Sequence, residues 1–256
     1  MSDDFLGVLA EQGLVPATGL AAFVVGSTAR GWAHHTSDVD LVVVCGEPFE
    51  DDRTLRHDVP LEPDHLPVVA FQHADRRWEV KYWLDGQVDQ LLAKVGWDRF
   101  GDDRTVGHRL AEVETLFLSR LRTCLPVSGR LWIERRRGQL DGSAFRSLLM
   151  MQALTDADEA AEDSVGQLAA GEAHGAVLSA RNAFGYAVEA LLISHGDYEA
   201  NLKWRARRFR AAAPALLSFV DYWAIETMRD LEPDRPGEWV ERVIELCKTV
   251  SMEVEV

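Results

Sequence analysis

Residues 26–41 read GSTARGWAHHTSDVDL, and the fold is decided by how they sit between two apolar runs. Upstream lies Ala21-Ala22-Phe23-Val24-Val25, and downstream Leu41-Val42-Val43-Val44-Cys45. Short, β-rich apolar runs bounded by turn residues read as buried strands. The stretch is therefore a strand, a Gly-Ser turn, a short helix or loop, and a second strand that opens with Asp38 and Asp40. Alternate strand residues project to one side, so the two carboxylates point together. Paired carboxylates repel unless they share a cation, and hard oxygen ligands suit Mg²⁺. A lone D-x-D is equally an ordinary solvated turn. The upstream half adds what the pair lacks. Backbone N–H groups at Gly26-Ser27 can cradle a phosphate, and Arg30, one turn on, can present its planar fork of donors to the same anion. Together these are the parts needed to hold a Mg²⁺-bound nucleoside triphosphate.

Working outward, DFLGVLAEQ at residues 4–12 reads as a short amphipathic helix. LPVVAFQH (66–73) and RWEVKYWL (77–84) are strand candidates joined as a hairpin across Ala74-Asp75-Arg76. GQVDQLLAKVG (86–96) is helical. Beyond about residue 104 only helical patterns follow: 106–125, then two long Ala-rich stretches at 143–171 and 172–196, then shorter ones at 200–212, 214–230 and 237–250. A strand-bearing half followed by an all-helical half predicts two domains, 1–125 and 126–256.

Composition narrows the function classes. Asp plus Glu number 42 against 27 Lys plus Arg, a formal net charge of −15, which argues against a long nucleic acid as partner. Cys45, Cys124 and Cys247 are scattered, with no C-x-x-C pair, which argues against a zinc site or a disulfide framework and suits a reducing cytoplasm. The acidic N-terminus lacks a signal-peptide pattern, and the reading finds no apolar run long enough for a membrane span.

The pattern G-S-x-x-R-G, a loop, then S-D-x-D-L-x-V is carried here by Gly26, Ser27, Arg30, Gly31, Ser37, Asp38, Asp40, Leu41 and Val43. It resembles the signature of the DNA polymerase β-type nucleotidyltransferase superfamily. Within it the likeness is greatest to the kanamycin-type aminoglycoside nucleotidyltransferases and their bacterial relatives. The grounds are total length, the E-V-K-Y-W strand before an amphipathic helix, and the helical second half. The resemblance covers about residues 20–95 and is mainly architectural beyond. It implies an α+β fold, a small mixed-sheet nucleotidyltransferase domain followed by an all-helical bundle. It implies transfer of a nucleoside monophosphate from a triphosphate, ATP being the expected donor, to a hydroxyl of a small, aminoglycoside-like acceptor, with release of pyrophosphate. By this resemblance Gly26, Ser27, Arg30 and Ser37 bind the nucleotide, and Asp38, Asp40 and a third acid hold two Mg²⁺ ions. Glu79, flanked by apolar residues in a strand, is the third acid; Asp75 competes but falls in the hairpin turn. A homodimer is implied by resemblance only. Two rival functions stay open: an antitoxin-like enzyme that adenylylates a partner protein, and a non-catalytic nucleotide-binding module.

In the helical half the resemblance implies a glutamate general base. Glu189 interrupts an apolar helix and is preferred to Glu159 and Glu162, with a structural ion pair to Arg181 or Arg205 as the equal alternative. The run KWRARRFR (203–210) reads as a solvated helix end or as a nucleic-acid contact of meagre size, while resemblance to a K-W pair in the kanamycin-type relatives implies a triphosphate contact through Lys203, with Arg208 assigned to the outer face. ERRRG (134–138) is read as an ordinary charged surface. His34 and His35 are read as turn residues, and Trp78, Trp83 and Trp97 as core.

Overall fold

The computed structural model describes residues 4–102 and 110–254. The chain divides into two compact units, Met1–Ala144 and Phe145–Val256.

The first unit opens with α1 (Phe5–Glu11), whose N-terminus is capped by Asp4 Oδ1 accepting the Gly7 N–H at 2.9 Å. There follow β1 (Gly19–Val25), the single turn α2 (Gly26–Ala29), β2 (Val39–Cys45), β3 (Leu55–Asp58), β4 (His65–His73), β5 (Arg76–Leu84), α3 (Asp85–Lys94), α4 (Trp97–Asp102), α5 (Glu112–Thr123), β6 (Leu125–Ser128) and α6 (Arg130–Asp141). The strands form one sheet in the order β3-β4-β5-β2-β1-β6. The β2–β5 pair is parallel and every other pair antiparallel. The four strands expected from sequence are present. Residues 103–109, where the helix expected over 106–125 begins, lie outside the described residues.

The boundary differs from the expected one near residue 125. Leu125–Ser128 adds as an edge strand to β1, pairing Leu125 with Val24 and Pro126 with Phe23. The following helix α6 is tied to α3 through Arg136, so residues 126–144 belong to the first unit. Arg136 is buried and its guanidinium bonds both Asp85 and Asp89. Arg136 is thus an internal staple within a stretch whose Glu134, Arg135 and Gly138 stay exposed, as a charged surface run would. β3 and β6 were not expected from sequence because both are four-residue edge strands, too short to carry a periodic signal.

The second unit is helical: α7 (Phe145–Ala169), α8 (Ala173–Ser194), a 3-10 turn at Leu202–Trp204, α9 (Arg205–Ala212), α10 (Phe219–Glu226) and α11 (Pro236–Glu253). By length and composition α8 could cross a membrane, at a mean hydropathy of 1.2, which corrects the expectation that no such run exists. Its apolar side chains are spent inside the unit: Ala180, Ala183, Phe184, Ala187, Val188 and Leu192 are fully buried against the surrounding helices. A helix apolar around most of its circumference is the centre of a bundle.

Candidate active site

The parallel register of β2 and β5 builds the site. It sets Val39 beside Trp78, Asp40 beside Glu79 and Val42 beside Lys81. Alternation then sorts the residues onto two faces. Val39, Leu41, Val43, Trp78, Val80 and Tyr82 enter one apolar core. Asp38, Asp40, Arg77, Glu79 and Lys81 belong to the opposite face. Further along that face Trp83 packs against Phe117 of α5, with ring centroids 4.3 Å apart, and Phe23 of β1 meets the same ring at 6.4 Å. Phe117 anchors α5 there, and one turn later Arg120 stands beside Gly26 and acts on the Asp40 carboxyl.

Gly26 ends β1 in the same place. Its φ of +67° is the left-handed conformation that glycine tolerates best. A Cβ on Gly26 would stand 3.1 Å from Asp40 Oδ2 and 3.6 Å from Arg120 Nη2. The backbone approaches Asp40 as closely as it does because no side chain intervenes.

Burial raises the Asp40 carboxyl above its ordinary range, and the neighbouring Glu79 and Asp38 push it the same way, while Arg120 and Lys81 oppose them. Glu79 is held by two cations on its own strand: Lys81 Nζ lies 3.2 Å from Oε1 and Arg77 Nη2 3.3 Å from Oε2. Among the described residues no three His, Cys, Asp or Glu side chains stand at metal-ligand spacing. The donor set nonetheless suits a divalent cation. All three groups are hard oxygens, and the half-buried Asp40 feels like charges on two sides, which a bound cation would offset.

The loop between α2 and β2 is fastened from β5. Arg76 Nε donates to the Ser37 carbonyl at 3.0 Å and Arg76 Nη2 to Thr28 Oγ1 at 3.2 Å. Ser37 Oγ accepts the His34 N–H at 3.0 Å, so the visible work of this side chain is to fold the loop. Ser27 is half-buried, and its carbonyl accepts from Trp32 and Ala33. The Arg30 guanidinium lies over the Trp32 ring, 4.9 Å from its centroid. His34 and His35 are exposed, as is Asp75, which sits at φ +60° in the β4–β5 turn. Trp78 and Trp83 are core residues, whereas Trp97 is half exposed and donates to the Gly142 carbonyl. Arg76, Lys81 and Arg120 were not anticipated. The signal for Lys81 was its i+2 spacing from Glu79; nothing in the sequence marks Arg120.

In the second unit Glu189 is the hub of a buried ionic network. Arg208 Nη1 lies 2.7 Å from Glu189 Oε2, and Arg205 Nη1 3.9 Å from Oε1. Burial raises the Glu189 carboxyl, and the two guanidinium groups oppose that shift. Of the two readings left open for Glu189, the structure shows the ion pair. Arg205 is one expected partner; Arg181 instead bonds Glu226. Gly185 admits the Arg205 guanidinium, since a Cβ there would meet Nη1 at 2.8 Å. Arg208 is 1% exposed, which corrects its assignment to an outer face. It also donates through Nε to Asp197 at 3.1 Å. Lys203 is exposed, its Nζ 5.7 Å from the centroid of the Trp204 ring. Glu159 and Glu162 are exposed on α7.

Residues 6–95 match the family model described as a nucleotidyltransferase domain. This match supports the DNA polymerase β-type nucleotidyltransferase superfamily for these residues. The match contains Gly26, Asp38, Asp40 and Glu79, and the nucleotidyltransferase domain supports a nucleotidyl transfer activity for this chain. A nucleotidyltransferase-like protein from Exiguobacterium sibiricum 255-15, solved by crystallography, has a similar fold, with a TM-score of 0.52 over 96% of this chain and 73% of that one at 11% identity. No curated protein matches the sequence.

Proposed function

We propose that the protein is a Mg²⁺-dependent nucleotidyltransferase that moves a nucleoside monophosphate from a nucleoside triphosphate to a hydroxyl of a small-molecule acceptor and releases pyrophosphate. The observation that carries the reading is the β2–β5 register, which sets Asp40 beside Glu79 on the face that Gly26 adjoins. Asp38, Asp40 and Glu79 would hold the divalent metal. When bound, it neutralises charge on the transferring phosphoryl group and on the leaving pyrophosphate. Gly26 and Ser27 give the triphosphate close access to the backbone, and Arg30 and Arg120 supply positive charge at the same turn. The acceptor we expect is cationic, of the aminoglycoside kind, because the carboxylate face and the net charge of −15 favour a cation. Glu189 is carried forward as an ion-pair residue.

The test is mass spectrometry of products after the protein is offered a panel of triphosphates and hydroxylated acceptors with Mg²⁺, aminoglycosides included. A nucleoside monophosphate gained by one acceptor, absent with Asp40→Asn, is the expected result. Pyrophosphate release that survives in folded Asp40→Asn would overturn the carboxylate assignment.

A further inference from the structure

Glu79 is the acid that completes the site, yet here its carboxylate is engaged by its own strand. Arg77, Glu79 and Lys81 are consecutive residues on one face of β5, and Glu79 is gripped from both sides. The two grips differ. The Arg77 side chain is 53% exposed, whereas that of Lys81 is 24% exposed and as sheltered as Glu79 itself at 25%. Lys81 also sits beside Val42 in the parallel register, two pairs along from Asp40 and Glu79 on the same face, and its charge acts on Asp40 as well. An ammonium in that position does for the carboxylates electrostatically what a metal ion does, and two cations at one carboxylate repel, so the metal and the ammonium compete for Glu79. Lysine suits the role better than arginine, being a compact point charge on a flexible stem that can leave its partner.

We infer that Lys81 is a resident cation of the carboxylate cluster. It positions Glu79 when no metal is bound, and metal entry displaces it, which frees its charge for the triphosphate. The inference rests on the metal and triphosphate reading above. It makes metal loading and anion binding a linked exchange at one side chain. The ammonium is a competitor of the metal before loading and a partner of the phosphates afterwards. Removing it should therefore move the two affinities in opposite directions.

The experiment titrates the full-length protein with Mn²⁺ in the absence of nucleotide, following the free ion by electron paramagnetic resonance. A second titration uses a fluorescent ATP analogue with saturating Mg²⁺. Lys81→Met should bind Mn²⁺ roughly 3- to 10-fold more tightly, the scale of a partly sheltered ion pair, and bind the Mg²⁺–nucleotide more weakly by a similar factor. The thermal midpoint of the metal-free variant should fall, and its gain on adding Mn²⁺ should exceed that of the wild type. Arg77→Met removes an equal charge from the more exposed grip and should shift both affinities less. Equal shifts in the two variants would show that only net charge matters and would overturn the proposal. So would Mn²⁺ binding by Lys81→Met that is unchanged or weaker. Lys81→Gln repeats the test if the methionine variant fails to fold by circular dichroism. Asp40→Asn separates the two levels: if it binds Mn²⁺ like the wild type, the carboxylate site itself is wrong and the exchange falls with it. If it loses Mn²⁺ while Lys81→Met does not differ from wild type, the exchange alone is wrong.

Discussion

Replacing Arg208 by Met should be among the most damaging single changes in the helical unit, although the residue lies in a run of charges that reads as surface. The guanidinium makes three bonds: Nη1 to Glu189 Oε2 at 2.7 Å, Nε to Asp197 Oδ1 at 3.1 Å and Nη2 to the Asp197 carbonyl at 3.3 Å. Methionine fills much of the volume, so the loss is electrostatic. It leaves the buried Glu189 carboxylate without its nearest cation, a change that costs about 3–5 kcal/mol when a buried pair is broken from one side. Arg205 remains 3.9 Å from Glu189 and offsets part of this, which favours the lower end, about 3 kcal/mol. The thermal midpoint should fall by roughly 6–12 °C. Urea unfolding followed by far-UV circular dichroism measures the loss. Adding Glu189→Gln should return part of it, because the double variant no longer strands that charge, with a coupling energy of about 1–3 kcal/mol. Lys203→Ala, at an exposed site, should change stability by less than about 0.5 kcal/mol. A loss below about 1 kcal/mol for Arg208→Met, the scale of an exposed pair, would refute the network.

Three further outcomes follow from the first unit. Gly26→Ala should cost about 1–2 kcal/mol for the left-handed backbone alone and should weaken binding of a fluorescent triphosphate, since the new methyl stands 3.1 Å from Asp40 Oδ2; wild-type binding and stability together would contradict the close-approach argument. Asp40→Asn should raise the thermal midpoint of the metal-free protein at neutral pH. The native Asp40 carboxyl is shifted upward, so the native state holds its proton more readily than the unfolded chain, and ionisation costs wild-type stability as pH rises from the ordinary value of 3.8 through the raised one. The advantage of the variant should therefore vanish below that window, and a gain that is constant with pH would contradict the cause assigned. Glu79→Gln should abolish transfer and Asp75→Asn should leave it intact, measured as pyrophosphate release; the reverse pattern would move the third acid into the β4–β5 turn.

The parts of the site legible in the sequence are those fixed by local rules. Period-two alternation assigned Asp38 and Asp40 to one face, and the glycine before Ser27 marked a backbone turn. For the third acid that the resemblance implies, a strand position between apolar neighbours favoured Glu79 over Asp75, whose φ of +60° belongs to a turn. What was not legible depends on long-range geometry. Arg120 reaches Gly26 only because Phe117, one turn earlier, docks α5 on Trp83 and Phe23. Arg136 reads as one of three consecutive surface arginines until α6 is laid against α3. In KWRARRFR the charges at positions 205 and 208 share a helix face, and that i, i+3 spacing could have suggested an inward pair. A sequence of five cations in eight residues gives no reason to expect buried carboxylates waiting for two of them. The boundary moved from 125 to 144 for a similar reason: a four-residue strand carries almost no periodic signal.

Strand direction explains why the acids and the glycine turn arrive together. In the parallel β2–β5 pair both strands begin at the same edge of the sheet, so the second residue of β2, Asp40, lies beside the fourth residue of β5, Glu79. Because β1 runs antiparallel to β2, it ends where β2 begins, with Val25 opposite Asp40 and Gly26 immediately beyond. One edge thus collects an outgoing strand with its turn and two incoming strands with their acids. The arrangement is intolerant of slippage. A one-residue shift of β5 against β2 would turn Glu79 toward the core face and Val80 toward the carboxylates. Burying that carboxylate without partners costs several kcal/mol at least, on top of the packing lost at Trp78 and Val80, which are 4% and 0% exposed. The apolar face therefore fixes the register, and the register fixes the site. Core substitutions that loosen β5, such as Val80→Ala, are expected to act on nucleotide binding through the position of Glu79 even though they touch no ligand.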